Sequence, residues 1–424
     1  MTDRGIAAIR AVRTELDGVI EQIRDVEGFE QFLAPPTFGD ISRTAKSAPL
    51  VYFAAADPGG LALIVHGEDT TYVPLDGLNA NTLRRRVEAH LDAYTAFRGE
   101  RGAGREGWSR SLSEVTRWLW DDAVGPVLGA LAGTNEAVFV AGGLLGLLPL
   151  HAAWTEDPDM PTQRRYALDE LTISYAPNAR ALQAAQDLAI TVPGRRLLAV
   201  VEPAPVQAAP LPFARHEARG FAAGARLECI ELSGPQATPL RFLREAGDAD
   251  ILLLACHGRA NLADPLRSGL LLAGREVDLR QLMELHLRVR LAVLSACETA
   301  LPGTELPDEV IGLPTGLLQA GVADVVASQW AVPDRATAML MTEFARLWGG
   351  GDVPPAKALR QAQRWLRDTT NGQKRAHWLA ALDDRPVLPI DVVEAFVAAL
   401  SFLEPDERDH ADLAMWAAFA HLGV

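Results

Sequence analysis

The sequence predicts an α/β fold in which a mostly parallel sheet is covered by helices on both faces. In the second half of the chain, strand-like and helical segments alternate, and the strand-like runs are apolar throughout, as in ADILLLACHG at 249–258. Apolar strands separated by helices are typical of a parallel sheet that is buried on both faces. With 424 residues, of which 49% are hydrophobic, the chain can form more than one compact unit with a core.

The N-terminal part is predicted to begin with helices and to continue with a β-hairpin. Residues 7–33 place apolar residues at helical spacing, and the prolines of APPT at 34–37 end that pattern. PLVYFAAAD and LALIVHG are strand-like runs joined by PGG at 58–60, and TTYVPL adds a third strand. Helical periodicity follows at 80–97 and 108–132.

The best internal boundary is VPGRR at 192–196, because a Pro-Gly break separates a helix at 178–190 from the next strand. Before it, a strand begins at 136 and turns into a leucine-rich loop with His151, for which packing or capping outweighs catalysis. We therefore predict two domains: residues 1–192, and residues 193–424. The second domain alternates strands and helices in the order RRLLAVVEP, RHEARGFAAG, RLECIEL, TPLRFLREAG, ADILLLACHG, RLAVLSACE, EVIGLPTGLLQAG and ADVVASQWAV.

Composition narrows the classes of function. The three cysteines, Cys229, Cys256 and Cys297, show no CxxC spacing, which favours a reducing compartment over a disulfide framework or a zinc site. The N-terminus lacks the apolar core of a signal peptide, and no apolar run reaches the ~18 residues that a membrane span needs. We expect a cytoplasmic protein. A net charge of -15 makes nucleic acid an unsuitable partner.

Two strand ends carry the residues of a candidate dyad. His257 and Gly258 follow one apolar strand, and Cys297 follows another. Taken singly, Cys297 is best interpreted as a small core residue and His257 as a strand cap. If the strands are neighbours, however, both side chains emerge at the carboxyl edge of the sheet, where α/β proteins place their sites. The occurrence of both residues, each just after an apolar strand, therefore favours a Cys/His dyad.

The chemistry of such a dyad explains each residue type. A nearby imidazolium stabilises the thiolate of Cys297 and later protonates the leaving amine. Gly258 has no Cβ, so its N–H and that of Cys297 could form an oxyanion hole. This chemistry requires no metal and no cofactor. We expect Cys256, which points to the other face of its strand, to be buried and inert.

The sequence resembles the CHAT-domain peptidases, the caspase-like group related to separase. The resemblance covers nearly the whole chain and is most specific at 249–344. It implies a caspase-like fold with a degenerate caspase-like N-terminal half, a nucleophile at Cys297 and a general acid/base at His257. The similar stretches are LACHG, LSACETA, GLPTGLLQAGVADVVASQWAVPDRATAMLMTEF at 312–344, AKALRQAQRWLRD at 356–368, WAAF at 416–419, GFEQFLAPP, GGLLGLLPLHAAW and LTISYAPNARAL.

The resemblance also points to substrate-binding residues. The segment of Ser328, Gln329 and Trp330 is similar to the one along which caspase-like peptidases lay the substrate backbone, although Trp330 as a core residue is nearly as good an interpretation. Three loop carboxylates could bind a basic P1 residue, and for each of them a solvated loop acid is the alternative: Glu305, Asp308 and Asp334.

Two departures from the family pattern are visible. Ala300 stands where the family usually has glycine after the SACET motif, and residues 386–412 look like an insertion that could cover the site or bind a partner. Larger CHAT proteins carry tetratricopeptide or other sensor domains, but no 34-residue repeat is visible in this sequence. We therefore expect a separate sensor or activator protein.

The sequence thus predicts a soluble cysteine endopeptidase that cleaves specific protein substrates, with a role in bacterial defence or regulated cell death implied by the resemblance. The main alternative is a non-catalytic scaffold that binds proteins at the groove along the sheet edge. A third possibility is acyl transfer to a small molecule.

Overall fold

The computed structural model describes residues 3–30, 32, 34–99, 104–259, 261, 264–295, 312–385 and 387–424. The α-helices are α1 (Asp3–Arg24), α2 (Phe38–Thr44), α3 (Ala80–Gly99), α4 (Arg105–Leu119), α5 (Gly125–Ala130), α6 (Ala167–Glu170), α7 (Ala179–Thr191), α8 (Ala214–Gly224), α9 (Pro239–Ala246), α10 (Leu279–Met283), α11 (Leu313–Ala320), α12 (Asp334–Trp348), α13 (Pro355–Asp368), α14 (Asn371–Ala380), α15 (Ile390–Leu400) and α16 (Leu413–Trp416).

The strands are β1 (Leu50–Ala54), β2 (Gly60–His66), β3 (Asp69–Leu75), β4 (Glu136–Ala141), β5 (Trp154–Glu156), β6 (Arg164–Tyr166), β7 (Thr172–Tyr175), β8 (Arg196–Pro203), β9 (Glu228–Gly234), β10 (Ile251–Ala255), β11 (His257–Arg259), β12 (Gly269–Leu271), β13 (Glu276–Asp278), β14 (Val289–Leu294), β15 (Val322–Ser328) and β16 (Phe419–Gly423). A π-helical turn, Trp120–Val124, joins α4 to α5, and 3₁₀ turns occupy Gly143–Leu147, Leu150–Ala152 and Pro265–Arg267.

One sheet of eleven strands runs through the molecule in the order β3-β2-β1-β4-β7-β16-β15-β14-β10-β8-β9. Its strands are parallel from β1 through β4, β7 and β16, and again from β15 through β14, β10, β8 and β9. The β1-β2-β3 meander is antiparallel, as predicted from its PGG turn. The α/β fold with a mostly parallel sheet is therefore confirmed.

The two parallel groups run in opposite directions, because β16 is parallel to β7 but antiparallel to β15. The carboxyl ends of β4 and β7 consequently lie at the opposite edge from those of β10 and β14. Both parts of the chain share this sheet, and the loop between α7 and β8 coincides with the predicted boundary. The division into residues 1–192 and 193–424 stays a prediction.

Helices cover both faces of the second parallel group, which runs from β15 to β9. Successive side chains of β10 point to opposite faces and belong to different cores. Leu253 belongs to a core that α8, α12 and α13 close with Phe221, Phe344 and other residues. Leu252 and Cys256 belong to the core on the other face, formed with α9, α10 and α11. Cys256 is buried, as expected, with 2% of its surface exposed.

A network of buried polar side chains connects the strands at the place where β16 joins the two parallel groups. His421 of β16 contacts Ser174 of β7 through Nδ1 (3.1 Å) and Asp324 of β15 through Nε2 (2.9 Å). Asp324 also pairs with Arg290 of β14. Nearby, His151 is buried and lies within hydrogen-bond distance of the Tyr175 hydroxyl (3.0 Å) and the Ala417 carbonyl (2.9 Å). His151 thus has the packing role that was expected.

The segment interpreted as an insertion contributes α15, which packs beside α14, α8 and α12. Val392, Val393 and Phe396 are buried against Trp378 of α14. In the described ranges, no helix has the length and apolar character to cross a membrane.

Candidate active site

The strands that carry the candidate dyad are neighbours in the sheet. β10 and β14 are parallel, with Leu254 opposite Leu294, so the two strands end at the same edge. His257 follows β10 by two positions and opens the short strand β11, where it pairs with Leu271. The description of the other strand stops at Ser295. Cys297, two positions later, lies outside the described residues.

The imidazole of His257 is held by a backbone carbonyl. Its Nε2 lies 2.7 Å from the carbonyl oxygen of Ala209. A carbonyl oxygen can only accept, so Nε2 must carry the hydrogen, and in the neutral ring Nδ1 keeps its lone pair. The bond therefore fixes a tautomer in which Nδ1 can take a proton from an acid.

Two carboxylates hold the segment 204–213, to which Ala209 belongs. Glu202, at the end of β8, accepts a hydrogen bond from the backbone N–H of Leu211 (2.9 Å), and Asp334, at the start of α12, accepts one from Phe213 (2.5 Å). Glu202 has φ +40°, which non-glycine residues rarely adopt. Together the two bonds set the position of the carbonyl that orients His257.

His257 also lines a cleft of about 410 Å³ between the end of β8, residues 204–210 and the end of β9. The cleft opens next to the imidazole, so a side chain bound there would lie beside the candidate base. Glu202 lines the same cleft.

One buried carboxyl group, that of Glu217, and one half-buried carboxyl group, that of Asp334, lie at this edge of the sheet. The pKa of Glu217 is raised to about 8, chiefly by desolvation; a hydrogen bond from Ser295 opposes this shift, and the charge of Asp334 contributes to it. Burial also raises the pKa of Asp334, with Glu202 adding to the effect, while the Phe213 N–H lowers it. The edge beside His257 therefore carries acidic groups in a poorly solvated environment.

The predicted segment Ser328-Gln329-Trp330 is buried in this structure. Ser328 ends β15 opposite Phe419, and the N–H of Gln329 donates to the carbonyl of Ala418 (2.9 Å). The indole of Trp330 donates to Ala414 (3.0 Å) and its ring packs edge-on against Trp108. Trp330 is thus a core residue, which was the alternative interpretation, and a substrate-binding role for this segment stays a prediction.

The N-terminal half contacts the chain directly after this segment. The N–H of Ala331 donates to the hydroxyl of Tyr94 on α3 (2.9 Å), and Trp108, which packs on Trp330, belongs to α4. The half that lacks a dyad of its own therefore helps to position the loop that leads to Asp334.

The other predicted site residues divide into two groups. Gly258 lies in β11 opposite Leu270, directly after His257, and Asp334 lies beside the candidate base. Glu305 and Asp308 lie outside the described residues, as does Cys297. The roles of all five stay predictions.

The sequence interpretation missed Ala209, Glu202, Glu217 and Ser295. Ala209 acts through its carbonyl oxygen, which every residue has, so no pattern could have singled it out. Glu217 did leave a signal, because it lies on the same helical face as Ala214, Ala218 and Phe221, within an otherwise apolar stripe.

No group of three or more His, Cys, Asp or Glu side chains in the described part of the chain is arranged to hold a metal ion.

Comparisons with solved structures find several similar chains. Two crystal structures of the Saccharomyces cerevisiae separase–securin complex are similar: one at 9% identity and TM-score 0.55 over 76% of this chain, the other at 8% identity and TM-score 0.53 over 91%. The matches span 29% and 30% of those chains. A structure of the pro- and mature domains of Porphyromonas gingivalis RgpB matches at 11% identity and TM-score 0.37, over 74% of this chain and 68% of the other.

The separase structures show a shared caspase-like fold at an identity too low to transfer activity. A search of curated proteins finds no match. The model of the CHAT domain family matches residues 113–424, which is more than half of the chain. The chain therefore belongs to the CHAT domain family.

Proposed function

We propose that this protein is a cysteine endopeptidase in which Cys297 is the nucleophile and His257 the general acid and base. The observation that carries the proposal is the hydrogen bond from His257 Nε2 to the Ala209 carbonyl, made where β10 and β14 end side by side. An imidazole held in one tautomer next to the strand that leads to a cysteine is what thiol activation needs.

In the proposed reaction, His257 Nδ1 takes the thiol proton and the thiolate of Cys297 attacks the peptide carbonyl carbon. The oxyanion is stabilised by backbone N–H groups, for which Gly258 and Cys297 are the candidates. The imidazolium then protonates the leaving amine, and an acyl-enzyme remains. Water, deprotonated by His257, hydrolyses the thioester and releases the acid. The bond to Ala209 holds the ring in place throughout.

The first test is the alkylation rate of each cysteine against pH, followed by mass spectrometry. We expect Cys297 to react well below the ordinary thiol pKa of about 8.5 and to lose this reactivity in His257→Ala. Cys229 is the internal reference, because desolvation and Glu231 raise its pKa to about 11.

A Cys297 that reacts with ordinary thiol kinetics, and identically in His257→Ala, would contradict the dyad and favour the scaffold function. Turnover of small esters or amides without peptide cleavage would favour acyl transfer to a small molecule. The assay needs no natural substrate.

We further propose that the enzyme prefers a basic P1 residue, and that Asp334 contributes to this preference. The proposal is supported by the acidic groups beside His257, since partly desolvated carboxylates bind guanidinium and ammonium groups well. Asp334→Asn keeps an oxygen that can accept from the Phe213 N–H but removes the charge. We expect cleavage after Arg to fall about tenfold or more relative to cleavage after Leu in a peptide library. An unchanged Arg-to-Leu ratio would rule out Asp334 as a specificity residue.

We also propose that a separate protein controls this enzyme in the cytoplasm, as part of bacterial defence or regulated cell death. The support is by likeness: the separase in the similar structures is bound to securin. Copurification of a partner that changes the reactivity of Cys297 would test this part of the proposal.

A further inference from the structure

One carboxyl group at the candidate site takes no part in the proposed reaction. Glu217 lies on α8 with 1% of its surface exposed, and its Oε1 accepts a hydrogen bond from the hydroxyl of Ser295. Ser295 directly follows β14 and precedes Cys297 by two positions. A fully buried carboxyl group therefore contacts the strand end that leads to the candidate nucleophile.

The helix that carries Glu217 is fixed on several sides. A Cβ on Gly220 would lie 2.4 Å from Thr342 Oγ1, so α8 and α12 approach each other closely at this point. Phe221 is fully buried in the core beneath the sheet, and Arg219 pairs with Asp391 of α15. Because α8 is anchored in this way, the bond to Glu217 ties Ser295 to a fixed helix.

We propose that Glu217 is a positioning residue for the proposed peptidase: its carboxyl group, bonded to Ser295, sets the end of β14 from which the chain continues to Cys297. The inference rests on the proposed function and extends it to a residue that does not touch the substrate. Because the carboxyl group is buried, its ionisation would strongly affect the groups around it.

The surroundings of Glu217 favour its neutral form at pH 7. Burial is the main cause of the raised pKa of about 8, and the charge of Asp334 on α12 adds to it. The groups that face Asp334 in turn are Glu202 at the end of β8, His216 on α8 and His257 in β11. Ionisation of Glu217 above pH 8 would place a second negative charge beside Asp334, at the strand end that leads to Cys297.

The experiment compares the wild type with Glu217→Gln and Glu217→Ala in the intact chain, using iodoacetamide and iodoacetate on Cys297. Glutamine has the shape of the protonated acid and keeps an acceptor for Ser295. At pH 7 we expect the iodoacetamide rate of Glu217→Gln to stay within about twofold of the wild type and that of Glu217→Ala to fall about tenfold. Ser295→Ala should behave like Glu217→Ala.

The ratio of the iodoacetate rate to the iodoacetamide rate reports local charge. Between about pH 7 and pH 9.5 we expect this ratio to fall about three- to tenfold in the wild type and to stay constant in Glu217→Gln. Equal profiles in the two proteins would overturn the proposal, as would a Glu217→Gln that is as slow as Glu217→Ala. Failure of the dyad is separate: it appears as a Cys297 rate that His257→Ala leaves unchanged, and the reagent ratio can still be measured in that variant.

Discussion

Gly321→Ala is expected to destabilise the native fold severely. Gly321 follows α11 and precedes β15, with φ +102°, and a Cβ there would lie 1.9 Å from the carbonyl oxygen of Leu287. That carbonyl cannot retreat freely, because the N–H of Leu287 donates to Ala320 and the N–H of Val289 donates to Gly321. The substitution adds backbone strain to a backbone clash, and we expect a loss of about 4 kcal/mol or more in the free energy of unfolding.

The matched control for this substitution is Gly133→Ala. Gly133 has a similar φ of +92°, but a Cβ at this position would have no other atom within 4 Å. The Gly133→Ala variant should therefore lose only the free energy that an alanine needs to adopt the left-handed conformation, about 1–2 kcal/mol. Urea unfolding followed by circular dichroism measures both variants. Equal losses would show that the contact with Leu287 relaxes and that our account of Gly321 is wrong.

The second large effect is a loss of stability in acid. Three buried histidines have a folded-state pKa of about 4, chiefly because burial disfavours the charged ring: His90, His151 and His410. In the unfolded chain they titrate near 6.5, so between pH 6.5 and about 4 the unfolded state binds more protons. Above pH 6.5 these three histidines therefore cost no stability. Between pH 6.5 and about 4, each of them lowers the free energy of unfolding by about 1.4 kcal/mol for every pH unit of acidification.

His90→Gln isolates one of these contributions. His90 packs on the ring of Trp108 at a centroid distance of 4.8 Å. We expect the variant to lose stability at pH 7 but to show a shallower dependence on acid, by about 1.4 kcal/mol per pH unit between pH 6.5 and 4.5. Urea unfolding at several pH values gives the slope. Parallel curves for the variant and the wild type would mean that His90 is protonated without unfolding.

Burial patterns explain why much of the fold could be predicted from the sequence. β10 is apolar throughout, and β8, β14 and β15 are mostly apolar, because both faces of their sheet are covered. Such runs stand out from the amphipathic helices between them. The direction of the first group of strands could not be predicted. It depends on β16, a strand of five residues that pairs with β7 and β15, both far away in the sequence.

The candidate site was predictable only where side-chain type carries the chemistry. The position of His257 after a buried strand was visible, and the structure brings the ends of β10 and β14 together as expected. The acceptor that orients the imidazole is the carbonyl of Ala209, in a segment without regular structure. Contacts of this kind depend on how residues 204–213 cross the sheet edge, which local patterns do not encode. Trp330 lies in the core, which was the alternative interpretation of its motif.

The central position of β16 has a consequence for synthesis of the protein. Residues 50–75, 136–141 and 172–175 emerge from the ribosome long before residues 419–423, which must enter between β7 and β15. Until then, the facing edges of those two strands have unsatisfied backbone groups, and such edges readily pair with other chains. The sheet is therefore completed only late in synthesis, and both edges stay open to pairing until residues 419–423 have emerged.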